Sequence, residues 1–236
     1  MLPEDLFWLS ADISIGITPF DGTPPSAWNL ISIAWNTLSI SIEHNKVMEL
    51  NKISSQGCPD FVIEHFKNMG ITQLNPAQVK AVNQGILEGK SILACTPTGS
   101  GKTAIATLGI AKCLSHGKGA KAVYLVPLKA LANEKFKEYQ ELFQPTKYSV
   151  GISTGDLDSN AEYLNKYDLL ILTVEKLDSL IRHKASWIHD VRCLVIDEVH
   201  LLNDPGRGPT LEIIITLLKS ILKQVQLIAL SATIGN

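Results

Sequence analysis

The chain has 236 residues, 45% of them hydrophobic, with 21 Lys and Arg against 23 Asp and Glu. That length and apolar content suit one well-packed domain and not comfortably two. A net charge of −2 excludes a global basic field, so any surface for nucleic acid has to be local.

Residues 1–46 differ from everything after them. They carry five acidic side chains against Lys46 alone, net −4, whereas residues 47–236 carry 18 acidic and 20 basic side chains, net +2. Trp8, Trp28 and Trp35 fall here, as does a Pro/Gly cluster at Pro19–Pro25. Residues 31–33 and 39–42 alternate like strands. Three readings compete: a small added β element, a disordered tail, or an extension upstream of a true start near Val47 or Met48. The abrupt change of composition favours the third and sets a boundary between residues 46 and 47. No basic segment leads into an apolar core, so a secretory signal is not expected. Ala27 to Ile42 is too short and too often polar to cross a membrane. Cys58, Cys95, Cys113 and Cys193 lie far apart, without a Cys-x-x-Cys pair or a His at ligand spacing. Disulfides and zinc are therefore not expected. Apolar neighbours predict buried thiols at Cys95 and Cys193, and the expected location is cytoplasmic.

From residue 59 the pattern becomes regular. Helical spacing runs from Pro59 to Met69 and from Pro76 to Leu87, each opened by proline and closed near a glycine, Gly70 and Gly89. Short apolar runs then fall at 92–95, 122–126, 148–152, 169–172, 193–196 and 227–230. Helical segments fall at 102–115, 128–143, 174–182 and 210–222. Runs apolar on both faces, each followed by a crossover helix, predict an α/β domain with a mostly parallel sheet covered on both sides.

Thr96-Pro97-Thr98-Gly99-Ser100-Gly101-Lys102-Thr103 joins the first of these runs to its helix. Glycines let the backbone wrap phosphates, and successive N–H groups with the helix N-terminus supply positive potential. Lys102 has the reach for β- and γ-phosphate oxygens, and the Thr103 hydroxyl is a Mg²⁺ ligand. A ligand-free Gly-rich turn is the alternative, but Gly-Lys-Thr between an apolar strand and a helix speaks for a nucleoside triphosphate. Further on, Cys193-Leu-Val-Ile-Asp-Glu-Val-His200 is a buried strand ending in two acids. A parallel sheet delivers Asp197 to the edge that holds phosphates, where it shares Mg²⁺ with Thr103, and Glu198 to a place where it can orient or deprotonate water. Taken alone, such a pair also serves as a helix cap. His200 by itself reads as a loop histidine.

Asp197-Glu198-Val199-His200 with Thr98–Thr103 resembles the superfamily 2 DExH-box helicases. The run Val126-Pro-Leu-Lys-Ala-Leu-Ala-Asn-Glu-Lys135, followed by Thr154-Gly-Asp156, Thr173-Val-Glu-Lys-Leu177 and Ser231-Ala-Thr233, is similar to the Ski-like branch. Within that branch it is similar to archaeal DNA-repair helicases related to the helicase half of DNA polymerase theta. The resemblance covers residues 48–236, a first RecA-like domain of a P-loop NTPase, and leaves 1–46 without counterpart.

The resemblance implies further roles. Gln78, in Leu74-Asn-Pro-Ala-Gln78, would select ATP by hydrogen-bonding adenine; a surface glutamine early in a helix is the plain alternative. Pro127, Lys129, Ala130, Thr154, Gly155 and Thr173 would follow a nucleic-acid backbone, although a Thr at a helix start is usually a cap. Ser231 and Thr233 would couple nucleotide state to strand movement, with His200 linking the two. The implied cofactors are ATP and Mg²⁺, and the implied partner is single-stranded or branched DNA, with RNA as the alternative and 3′–5′ polarity for the motor. A stand-alone binding module without turnover is a further alternative. A second RecA-like domain, in cis or trans, is expected to supply the arginines for turnover, so the 236 residues alone are expected to bind ATP and hydrolyse it poorly. Thr96 departs from the Ala or Gly usual at the start of the loop, which puts a hydroxyl where none is ordinarily found.

Overall fold

The computed structural model describes residues 6–10, 47–97, 99–117, 119–155, 161–222 and 224–232. In chain order they form β1 (Leu6–Ser10), β2 (Met48–Glu49), α1 (Leu50–Ser54), α2 (Asp60–Asn68), β3 (Gln73–Leu74), α3 (Pro76–Asn83), β4 (Ser91–Cys95) and α4 (Lys102–His116). There follow β5 (Lys121–Val126), α5 (Lys129–Phe143), β6 (Val150–Ser153), β7 (Leu169–Thr173), α6 (Val174–Arg182), β8 (Val191–Ile196), α7 (Gly208–Ile221) and β9 (Gln226–Ser231). β2 and β3 make a short antiparallel ribbon. The other strands form one sheet in the order β1-β4-β9-β8-β5-β7-β6, with every pairing parallel.

The two faces of the sheet explain why its strands read as continuous apolar runs. Side chains alternate along a strand. Ala122, Tyr124 and Val126 of β5 join Ile171, Val195 and Ile228 in a core under α2, α3, α4 and α5. Val123 and Leu125 point the other way, into a second core with Leu170, Leu172, Leu194, Trp187 and the buried stripes of α6 and α7. Every residue of β5 and of β7 is buried. The doubly covered parallel sheet expected from the alternation of runs is therefore the one that forms.

The departures are local. The helix expected over 76–87 ends at Asn83, because Gly85 takes φ 93° and the chain resumes as a single 3₁₀ turn, Ile86–Glu88. β6 starts at Val150, not Tyr148, since Ser149 turns both its N–H and its hydroxyl to the Asp168 carboxylate, at 2.7 and 2.9 Å. α7 begins at Gly208, two residues early, with Pro209 in its first turn. Leu6–Ser10, which carried no strand signal of note, lies beside β4 at the sheet edge. The expected strands at 31–33 and 39–42 lie outside the described residues. The four cysteines are unpaired, and Cys193 is fully buried as expected, but Cys95 at the end of β4 is only partly so. Among the described residues no helix is long and apolar enough to cross a membrane.

Candidate active site

Parallel pairing delivers all C-terminal strand ends to one edge. Cys95 stands opposite Ser231, Ala229 opposite Ile196, Ile196 opposite Leu125, Val126 opposite Thr173, and Leu172 opposite Ser153. The segments beginning at Thr96, Asp197, Pro127, Thr154 and Val174 therefore leave the sheet on the same side, the usual place for ligands in such folds.

The phosphate loop is folded by its glycines. Gly99 and Gly101 take φ 80° and 78°, a region that side chains disfavour. Gly101 is the N-cap of α4 and offers no side chain to its first turn, so the leading N–H groups of the helix are not capped from within. From outside, Asn75 Nδ2 donates to the Ser100 carbonyl at 2.7 Å, and Gln78 Nε2 to the Gly101 carbonyl at 3.2 Å. In a planar trans peptide the carbonyl and the following N–H point in opposite directions. Holding those two carbonyls outward thus turns the N–H groups of Gly101 and Lys102 the other way. Lys102 Nζ lies against the loop, donating to the Thr96 carbonyl at 3.0 Å. The unusual Thr96 hydroxyl accepts from Ser100 Oγ at 2.6 Å, and the Thr96 N–H donates to the Ser231 carbonyl, so the extra group is accommodated by a bond across the loop. Thr98 lies outside the described residues.

Gln78 is 4% exposed, which removes the surface-glutamine reading. Its amide completes a capping box with Asn75, Oε1 accepting from the Asn75 N–H while the Asn75 side chain accepts from the Gln78 N–H. Both ends of the amide are thus engaged within the protein.

The acidic pair sits at the end of β8. The Asp197 N–H donates to the Leu125 carbonyl, Asp197 Oδ2 accepts from Tyr124 Oη at 3.0 Å, and Oδ1 accepts from the Glu198 N–H. Burial pushes the Asp197 carboxyl above the usual range, and the Glu198 charge adds to that. The Tyr124 hydrogen bond and the charge of Lys135 oppose it. Glu198 is held at φ 52°, a strained conformation for a non-glycine residue of the kind that collects at functional sites. Its Oε2 is 3.1 Å from His200 Nδ1, but without hydrogen-bond geometry, so this buried oxygen has no hydrogen-bond partner. His200 Nδ1 is also 3.5 Å from Ser231 Oγ, which puts the histidine between the acid and the end of β9. Thr233 lies outside the described residues.

The donor set fits Mg²⁺ and a triphosphate. Hard oxygen ligands, one hydroxyl and one carboxylate, are what Mg²⁺ takes when phosphates and waters fill its other positions. Among the described residues no three His, Cys, Asp or Glu side chains form a metal cage. A site of that kind would have suited a transition metal instead. Cys95 is no rival nucleophile: burial raises its thiol to about 12, against the smaller opposing effect of Lys102.

The expected nucleic-acid residues divide. Lys129 and Ala130, in the exposed first turn of α5, and Gly155 are open to solvent, and Thr154 is half-buried. Pro127 is buried, with its carbonyl 3.4 Å from the Arg207 guanidinium. Thr173 is 4% exposed, and its hydroxyl caps α6 by accepting from the Lys176 N–H at 3.4 Å. For Thr173 the plain reading of a threonine at a helix start is the one its surroundings support. Sequence reasoning missed Asn75, Tyr124 and Lys135. Only Asn75 had a local signal, as the Asn at the start of an Asn-Pro-x-Gln cap; the other two meet the site through the fold.

The family of DEAD/DEAH box helicases matches residues 75–236. An ATP-dependent DNA helicase Hel308 of Methanocella arvoryzae is 45% identical over 189 residues, 78% of this chain and 25% of its own length. The Hel308 of Pyrococcus abyssi is 49% identical over 185 residues, with the same coverages. The chain thus spans about a quarter of these relatives' length. Among solved structures, the helicase MrfA bound to DNA and AMPPNP superimposes with TM-score 0.67 at 24% identity, covering 77% of this chain and 27% of that one. The Lhr helicase of Mycobacterium smegmatis, bound to ssDNA and AMP-PNP, gives TM-score 0.63 at 29% identity over 75% of this chain and 25% of that one. The fold they share with this chain is the RecA-like one.

Proposed function

The chain belongs to the DEAD/DEAH box helicases, and from that premise we propose that it is the ATP-binding first RecA-like domain of an ATP-dependent DNA helicase of the DNA-repair type. The observation that carries the reading is the common edge of the sheet. There the glycine-wrapped loop with Lys102 and Thr103 follows β4 and the Asp197–Glu198 turn follows β8, with β9 between them, and Glu198 Oε2 is buried without a hydrogen-bond partner. Lys102 and the N–H groups at the start of α4 would grip the β- and γ-phosphates, and Thr103 Oγ1 with Asp197 would hold Mg²⁺, which supplies charge neutralisation on the triphosphate. Glu198 would take the proton of the attacking water. His200, between Glu198 and Ser231, would report that step to β9. Lys129, Ala130, Thr154 and Gly155 would follow a DNA backbone and not its bases, a reading in keeping with the Hel308 relatives and with the ssDNA-bound Lhr.

Turnover would require the second RecA-like domain, because a charge-stabilising arginine contributes about 10³–10⁵ in rate in comparable enzymes. A polypeptide of these 236 residues should therefore bind Mg·ATP and turn it over very slowly, with or without single-stranded DNA. Steady-state phosphate release is the test. Robust DNA-stimulated hydrolysis by the purified 236 residues would contradict the proposal.

A further inference from the structure

One charged side chain at this edge has no part in the scheme above. Lys135, on the second turn of α5, is only 8% exposed. Its Nζ donates to Thr103 Oγ1 at 2.9 Å and to Glu138 Oε2 at 2.8 Å. Its charge is also felt by Asp197, whose carboxyl it draws down against burial. Lys135 therefore touches one of the two oxygen ligands proposed for Mg²⁺, and its charge reaches the other. Burying an ammonium there costs free energy unless its neighbours are acceptors, and its neighbours are Thr103, Glu138 and Asp197.

We infer that Lys135 is a positioning residue that acts as a built-in cation of the metal site. This rests on the reading of Thr103 and Asp197 as the Mg²⁺ pair. Before a metal arrives, the ammonium holds the Thr103 hydroxyl by one lone pair, leaving the other for Mg²⁺, and offsets the charge of Asp197. It also adds a fixed positive charge behind the phosphate loop, which helps an uncomplexed nucleotide to bind. Once Mg²⁺ is present, the same charge opposes it. Both effects make nucleotide binding less dependent on metal than it would otherwise be. Glu138 sets the strength of the effect by partly neutralising the ammonium from the solvent side.

The readout is the ratio of nucleotide dissociation constants in EDTA and in excess Mg²⁺, measured by calorimetry with ATP on the 236-residue chain. Removing the charge in Lys135→Met should raise that ratio by about tenfold, the effect of one unit charge several ångströms away at a dielectric between those of a protein surface and bulk water. Lys135→Arg should keep it near the unaltered value. Glu138→Gln, on a side chain that is partly exposed and keeps an acceptor oxygen for the ammonium, should lower the ratio by about threefold, and it decides the matter if Lys135→Met does not fold. Equal weakening of both affinities in Lys135→Met, or an unchanged ratio in Glu138→Gln, would make Lys135 a packing residue and overturn the inference. If the unaltered chain binds ATP in neither buffer, the nucleotide site itself falls, and this inference with it.

Discussion

Lys102 and Asp197 show how much of the site is decided by single groups. The Lys102 ammonium rests on the Thr96 carbonyl, a neutral acceptor that a phosphate oxygen outcompetes, since bonds to charged partners are about twice as strong. Lys102→Ala should weaken ATP binding about a hundredfold, the equivalent of about 3 kcal/mol, as measured by fluorescence with a labelled nucleotide; a change under threefold would show that Lys102 faces no phosphate. Burial of Asp197 carries a cost, because it raises the carboxyl. A raised carboxyl favours the protonated folded state, so ionisation destabilises the fold above the folded value, and the penalty disappears at acid pH. Asp197→Asn removes that penalty and keeps an acceptor for Tyr124 Oη, but gives up the one that the Glu198 N–H uses. Its melting temperature relative to the unaltered chain's should therefore be higher at pH 7.5 than at acid pH. The gain should shrink as pH falls into the ordinary carboxylate range, and adding Mg·ATP should favour the unaltered chain. A difference that does not change with pH would mean that burial leaves the Asp197 carboxyl in its ordinary range.

At the level of elements, the site depends on a few joints between helices and strand ends. One of them is the start of α7. A methyl group on Gly208 would overlap the Leu202 carbonyl oxygen, at the end of the 3₁₀ turn Val199–Asn203 that carries His200. Backbone cannot yield as a side-chain tip can. Gly208→Ala should therefore cost about 1–3 kcal/mol, read as a drop in urea midpoint at unchanged slope, and it should displace His200 from Glu198 and Ser231. An unchanged midpoint would show that the joint is loose. The start of α5 is the other joint to test. Lys129 is exposed there, and if it neutralises one phosphate of a single strand, Lys129→Ala should reduce the slope of log affinity against log salt by about 0.7. An unchanged slope would remove Lys129 from the track.

These elements were largely legible beforehand because the central strands β5 and β7 are buried on both faces and read as unbroken apolar runs. The phosphate loop and the acidic turn were legible because their chemistry is written in consecutive residues. Tyr124 and Lys135 were not. Tyr124 reads as one more apolar residue of β5, and it becomes the support of Asp197 only because β5 and β8 are neighbours in register. Lys135 reads as a solvated helix charge, and only the packing of α5 beside α4 brings it to Thr103. For Thr173 the cap stood beside the motif reading as the plain alternative, and its hydroxyl does cap α6. The break in α3 followed from the left-handed Gly85, which the apolar spacing could not reveal.

For the whole molecule, the decisive fact is one of topology: with all sheet pairings parallel, nucleotide-binding and nucleic-acid-binding candidates share an edge. α5 begins at exposed Lys129 and carries Lys135 to the proposed metal ligand, and His200 stands between Glu198 and Ser231. On the proposed reading, movement at a bound strand would have two short material routes to the nucleotide. The crystal structure of the 236 residues with Mg²⁺ and a non-hydrolysable ATP analogue tests the central claim most directly. A triphosphate wrapped by residues 96–103, with the metal on Thr103 Oγ1 and facing Asp197, is the expected result. A nucleotide bound anywhere else, or a metal whose ligands omit Thr103 and leave Asp197 remote, would contradict it.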